Sequence, residues 1–247
     1  MALAPGKSKN NIMRNRMRLL LLIGIAGFFI SAVFVFDASA NFFQKAFTEE
    51  SGTPRNPIID SDMTLEEALR KASPLEFKKR QKLVEVVYYS FDGKIHKGQL
   101  VIDEKLVEDI REVFRVMLKY KFPITSVIPI SHNCFFRNGK WNEDDLSMAA
   151  NNTSAFNYRL VTGGKSLSMH AYGFAIDINP LQNPYIKGGI VLPLGAVYDI
   201  HKQGTLANDS PIVKTFLRLG WIWGGNWESL KDYQHFEKFR KIYEIRR

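Results

Sequence analysis

The stretch Ser168-Met-His170-Ala-Tyr-Gly173-Phe-Ala-Ile-Asp177-Ile-Asn179 sets a histidine and a carboxylate seven positions apart, with a glycine between them. A nitrogen donor and an oxygen donor of these kinds suit a divalent metal such as zinc. A catalytic zinc takes three protein ligands and keeps a further position open. Gly173 permits a tight turn or a close backbone approach between the two donors. The run Phe174 to Asn179 that follows reads as a short buried strand carrying Asp177. Two residues do not make a site. A hydrogen-bonded core histidine and a turn carboxylate would leave the same trace.

A second cluster supplies what the first lacks: Trp221-Ile-Trp-Gly-Gly-Asn-Trp227, then Asp232-Tyr-Gln-His235-Phe-Glu237. Tyr233 to Glu237 reads as a strand, with His235 on one face and Gln234 and Phe236 on the other. Asp232 lies three residues before His235, so on a straight strand the two would face opposite ways. A turn at Asp232 must re-aim one of them if both serve one site. The functional expectation makes His235 the third metal ligand and Asp232 a nearby carboxylate base, with Glu237 the next candidate for that role. The alternative leaves Asp232 an ordinary loop residue.

The pattern Ser168-x-His170-x-x-Gly173-x-Ala175-x-Asp177, then Asp232-x-x-His235, resembles the zinc D-alanyl-D-alanine carboxypeptidases and L-alanyl-D-glutamate endopeptidases. That family includes vancomycin-resistance D,D-peptidases and phage endolysins. It shares a core with the hedgehog signalling domain. The likeness is strongest to the endolysin-type branch. It extends over Asn151-Asn-Thr-Ser-Ala-Phe-Asn-Tyr-Arg159, Asn179-Pro-Leu-Gln-Asn-Pro-Tyr185 and Gly220-Trp-Ile-Trp-Gly-Gly-Asn-Trp227. The resemblance implies a Zn2+ cofactor held by His170, Asp177 and His235, with Asp232 as base. Arg159 falls where the family places an arginine facing the metal, where it would hold the developing oxyanion. Ser168 is expected to position substrate or to orient His170 through a hydrogen bond. The implied activity is hydrolysis of an amide in the peptide stem of bacterial peptidoglycan. The endolysin likeness favours an L-alanyl-D-glutamate endopeptidase, with a D-alanyl-D-alanine carboxypeptidase as the alternative. A non-catalytic, zinc-containing wall-binding module is a further alternative, against which Asp232 argues, because a structural zinc needs no base.

The chain is 247 residues with a net charge of +9. Residues 1–18 hold Lys7, Lys9, Arg14, Arg16 and Arg18 and no acid, so five of those charges sit in a basic tail and +4 remains beyond it. Leu19 to Phe36 follows without a charge, near the roughly 20 residues that span a bilayer. The basic flank predicts an inside N-terminus and an outside domain. A signal anchor is favoured over a secretory signal cleaved near Ala38-Ser-Ala40, because the run exceeds the usual h-region of about 7–15 residues. The expected organisation is thus a tail (1–18), a transmembrane segment (19–36), a linker (37–62) and a zinc peptidase domain (63–247).

Within that domain the periodicity predicts an α+β fold, with helices packed on a mainly antiparallel sheet. Thr64 and Glu67 form a capping box for a helix reaching Ala72. Leu83–Tyr89 and Lys97–Ile102 are strands around an Asp92-Gly93 turn. Asp103 to Tyr120 is an amphipathic helix with Leu106, Ile110, Val113, Phe114 and Met117 on one face. Ile124 to Ile130 is a β-prone run. Asp209 to Leu219 is a helix opened by Ser210-Pro211 and closed by Gly220. Cys134 is alone, so no internal disulfide is possible, and it is expected to be a buried apolar residue. His96, His132 and His201 match no motif and are read as structural or solvent-facing. Trp221, Trp223 and Trp227 are read as core and pocket wall. Basic and aromatic residues are not interleaved as a nucleic-acid module would need.

Overall fold

A computed structural model describes residues 50–69, 73–137, 140–141, 143–162 and 164–239. The predicted membrane segment lies outside them, and none of the described helices is long and apolar enough to cross a membrane. In chain order the strands are β1 (Ile58–Ile59), β2 (Gln81–Tyr89), β3 (Ile95–Asp103), β4 (Ser126–Val127), β5 (Phe136–Arg137), β6 (Lys140–Trp141), β7 (Asn152–Thr153), β8 (Ala175–Asp177), β9 (Tyr185–Lys187), β10 (Ile190–Leu192), β11 (Ile222–Trp223), β12 (Lys231–Asp232) and β13 (His235–Glu237). The helices are α1 (Leu65–Ala68), α2 (Leu75–Lys78), α3 (Val107–Lys119), α4 (Glu143–Ala149) and α5 (Pro211–Arg218).

The class is the expected mixture of helices and largely antiparallel strands, but it is divided among short sheets rather than gathered in one. β2 and β3 form the long hairpin, in register from Gln81↔Asp103 to Tyr89↔Ile95. Gly93, at φ 81°, turns the chain between them. Val84, Val86 and Tyr88 alternate inward along β2, as a half-buried strand requires. β1, within the stretch read as a linker, adds to β3 in parallel through Ile58↔His96. The run from Ile124 to Ile130 pairs over β4 and β7 and through a single parallel bridge from Ile124 to Ser90. Beyond Val127 the Asn152 side chain takes the ladder's place, accepting from Ile128 N at 3.0 Å and donating to Ile128 O at 2.9 Å.

Helix α3 places Ile110, Val113, Phe114 and Met117 in the core, as its 3.6-residue period dictates. Leu106, in a preceding 3-10 turn, joins them. Helix α1 carries the capping box: Thr64 N donates to Glu67 Oε2 at 2.7 Å and Glu67 N to Thr64 Oγ1 at 3.3 Å. Helix α5 opens on Ser210, whose Oγ accepts from Val213 N, and on Pro211 at its first position.

Two three-stranded sheets frame the site. β11, β13 and β8 run antiparallel, aligning Trp223 with Phe236 and Phe236 with Ile176 on the core side. Phe236 stacks on Phe216 of α5 with ring centroids 3.9 Å apart. Removing its ring would cost about 3–5 kcal/mol by the usual behaviour of buried aromatics. β10, β9 and β12 form the other sheet, in which Asp232 stands opposite Tyr185.

Candidate active site

Local structure explains how the first motif presents its donors. Ser168 Oγ accepts from His170 N at 3.3 Å and caps the 3-10 turn Met169–Tyr172. Gly173 ends that turn at φ 70°. A Cβ there would run into the Gln81 side chain and the Asp103 amide, so both the turn and the close approach need glycine. The chain then enters β8, where Ile176 faces the core and Asp177 the opposite side.

Asp177 and His235 are direct partners across β8 and β13. His235 Nδ1 lies 3.0 Å from Asp177 Oδ1. His170 Nε2 lies 3.1 Å from Asp177 Oδ2 and 3.2 Å from His235 Nδ1. The two inner nitrogens thus lie against each other, each beside one oxygen of the Asp177 carboxylate, and all three residues are buried. Among the described residues no other group of three such side chains could hold a metal ion.

The outer nitrogens decide what the inner ones can be. His170 Nδ1 lies 2.6 Å from the Ala155 carbonyl, which can only accept, so this nitrogen carries the proton. His235 Nε2 lies 3.1 Å from Glu237 Oε2 and donates in the same way. Both inner nitrogens are then free to accept, face to face and beside a carboxylate. Such a set calls for positive charge at its centre. Without a metal a proton meets that need. Burial opposes a charge on His235, but hydrogen bonds to Asp177 and Glu237 prevail and push its pKa up to about 10. Burial likewise opposes ionisation of Asp177, and the two histidines outweigh it and hold its pKa well below the carboxylate range. The set fits zinc: ligand bonds of about 2.0–2.1 Å in a tetrahedron imply donor separations of ~3.3 Å, close to those found.

Asp232 and His235 do serve one pocket, and the re-aiming has a plain cause. Asp232 closes one sheet and His235 opens the other, with the turn at Tyr233 and Gln234 between them. Gln234 belongs to that turn, so it also reaches the pocket, while only Phe236 takes the core face expected of both. Burial raises the Asp232 pKa to about 6; the His235 charge opposes the rise and the Asp177 charge adds to it. Its Oδ1 is buried without a hydrogen-bond partner.

His170, Asp177, His235, Asp232, Arg159 and Ser168 all line one cavity of about 260 Å³. Trp227 forms part of its wall, its ring centroid 5.4 Å from that of His235, while Trp221 and Trp223 are core. Arg159 is held from an unforeseen side. Its Nε lies 3.1 Å from Asp144 Oδ2 on α4, an ion pair that lacks hydrogen-bond alignment. Its Nη1 donates to Leu160 O at 3.2 Å. Asp144 Oδ1 accepts from Asn157 Nδ2 at 3.1 Å. Asp144 carried no local signal, because its partners come from packing α4 against a loop 15 residues on.

The remaining histidines stay apart from the site. His96 is buried between Asp60 and Asp92, at 3.0 and 3.1 Å. His132 caps a 3-10 turn at Asn133–Phe135, and His201 is exposed. Cys134 corrects the sequence expectation: it is exposed, because its neighbour Phe135 takes the buried position of that turn.

Residues 162–238 match the model of a protein family described as D-alanyl-D-alanine carboxypeptidase. Comparison with curated proteins and with solved structures gave no match. The matched segment contains Ser168, His170, Asp177, Asp232 and His235, and it begins just after Arg159. Over residues 162–238 the chain is thus similar to the D-alanyl-D-alanine carboxypeptidase family.

Proposed function

We propose that the chain is a zinc peptidase that hydrolyses an amide in the peptide stem of bacterial peptidoglycan, with His170, Asp177 and His235 as metal ligands. The observation that carries this reading is the cluster of His170 Nε2, His235 Nδ1 and the two Asp177 carboxylate oxygens, with contacts of 3.0–3.2 Å, and with Asp232 and Arg159 on the walls of the same cavity. A zinc ion held there supplies a Lewis acid and lowers the pKa of water toward neutrality. Asp232 takes a proton from the attacking water and hands it to the leaving nitrogen. Its raised pKa suits a base working near neutral pH. Arg159 donates N–H to the scissile carbonyl oxygen as negative charge develops there. Ser168 fixes the turn that aims His170 and presents its own edge to the substrate channel.

For the bond, the endolysin-type motifs support an L-alanyl-D-glutamate endopeptidase. The description of the matched family supports the second reading, a D-alanyl-D-alanine carboxypeptidase. Mass spectrometry of purified peptidoglycan after digestion by the zinc-loaded protein separates them. A new amino-terminal D-glutamate marks the first, and loss of D-alanine the second. An intact stem with the protein bound would overturn both in favour of a wall-binding module. The basic tail and the apolar run Leu19–Phe36 support an anchored protein with its catalytic domain outside the cytoplasm. Protease added to intact spheroplasts should then digest that domain, and full protection would reverse the orientation.

A further inference from the structure

The sheet of β10, β9 and β12 forms one wall of the pocket, and its register orders the side chains there. Leu192, Tyr185 and Asp232 stand in one cross-strand row. In the next row Ile190 stands opposite Lys187, and Leu230 lies where the register of β12 continues past Lys231. Successive strand residues point to opposite faces. Tyr185, Lys187, Leu192, Leu230 and Asp232 line the cavity, whereas Ile186, Val191 and Lys231 do not; Ile190, on the same face at the exposed end of the sheet, lies outside the lining. Lys187 is thus a cation between two apolar neighbours, on the same face as Asp232 and diagonal to it. Residues so related lie about 7–8 Å apart.

Apart from the proposed base Asp232, the other charges lining the cavity are engaged. Asp144 faces Arg159, Asp177 lies between two histidines, and Glu237 holds His235. Among the described residues no carboxylate lies within ion-pair distance of Lys187, which stands exposed at the rim. A cation in this position has an anion to meet, and the substrate is what enters the cavity.

We propose that Lys187 reads a carboxylate carried by the substrate on the leaving side of the scissile amide. The inference rests on the stem-peptide reading above. In both candidate bonds the carbon attached to the leaving nitrogen also bears an α-carboxylate. In one case it belongs to D-glutamate, which is joined onward through its side chain. In the other it belongs to the terminal D-alanine. That carboxylate lies about one residue length from the nitrogen to which Asp232 gives its proton. Lys187 stands one diagonal step from Asp232 on the same sheet face, about 7–8 Å away, so a substrate carboxylate fits between the two side chains.

Four peptides and the full-length, zinc-loaded protein test this. One pair is a γ-D-glutamyl stem with a free α-carboxylate and its α-carboxamide. The other is a D-Ala-D-Ala-terminated stem with a free and an amidated end. Wild type should prefer the free acid of the pair whose bond it cuts by about tenfold, the worth of one charge-assisted hydrogen bond. Lys187→Gln should raise KM for that acid until it comes level with its amide. The pair that loses its preference names the carboxylate. Should Lys187→Gln keep the acid-over-amide ratio, or slow both peptides equally, Lys187 is not the reader. If wild type hydrolyses none of the four, the peptidase reading fails separately. Calorimetric binding of the same peptides then decides for Lys187 if Lys187→Gln loses an acid-over-amide preference, and against it if wild type shows none.

Discussion

Asp177 and His235 stand directly opposite each other on antiparallel strands, with Oδ1 and Nδ1 3.0 Å apart. This pairing fixes two of the three donors by backbone register alone. A metal held by them should therefore depend on each ligand strongly. His170→Ala or His235→Ala should abolish stoichiometric zinc binding while the fold survives. Zinc content by elemental analysis, with circular dichroism as the folding control, checks it. Wild-type affinity in either folded variant would refute the ligand set.

Zinc binding should also release a proton. In the metal-free protein His235 is protonated up to about pH 10, and a metal must displace that proton. Below this value zinc affinity should rise as pH rises, by about tenfold per pH unit for one displaced proton. Calorimetry in buffers of different ionisation enthalpy counts the protons, and a count of zero at pH 7 would remove the raised His235 from the account.

Loss of Asp232 should separate metal binding from hydrolysis. Asp232→Asn is nearly isosteric and cannot act as a carboxylate base. It should keep zinc and lose at least about 10²-fold in rate, the lower bound for a positioned acid–base group. If the variant loses its zinc instead, Asp232 is a ligand. If it keeps full activity, Glu237, already engaged with His235, becomes the group to test.

Asp144 should act only through Arg159. The pair at 3.1 Å implies that Asp144→Asn and Arg159→Ala are not additive. Arg159→Ala alone should lower kcat by about 10²–10³-fold, the range seen when one oxyanion donor is lost, and Asp144→Asn by no more than that. Asp144→Asn in the Arg159→Ala background should add little. Equal cost in both backgrounds would show that Asp144 works independently.

Stability should fall with rising pH through the His96 cluster. Burial disfavours the His96 charge, but hydrogen bonds to Asp60 and Asp92 prevail and raise its pKa. The folded state therefore holds that proton more tightly than the unfolded chain. The contribution is fully present below the ordinary histidine value of about 6.5. It is lost as pH rises through the raised one. Denaturant unfolding between pH 6 and 9 should show this decline, and His96→Gln should flatten it.

The site was legible where its geometry is local. The turn at His170, the glycine at Gly173 and the strand at Asp177 are consecutive, so spacing alone conveys them. His235 could be read because alternation on a strand sets its face. The helix α3 showed its buried face at Ile110, Val113, Phe114 and Met117, because a 3.6-residue period is written in every turn, while Val116 at the edge of that face was missed. Register was not legible: that Asp232 stands opposite Tyr185 and shares a face with Lys187 depends on which strands pair. Asp144 was invisible for the same reason, since packing of α4 brings it to Arg159. Cys134 was misread because a composition rule says how often cysteine is buried, not which residue of a surface turn is. The single expected sheet came out as several, because side chains such as Asn152 end ladders that strand propensity alone would continue.

The most direct test of the central claim is the rate of stem-peptide hydrolysis as zinc is titrated into chelator-stripped, full-length protein. Hydrolysis should be absent without metal, rise in proportion to zinc bound, level off at about one ion per chain, and remain absent in His235→Ala at every zinc level. Hydrolysis by the stripped protein would contradict the account, as would a chain that takes up one zinc and leaves peptidoglycan uncut.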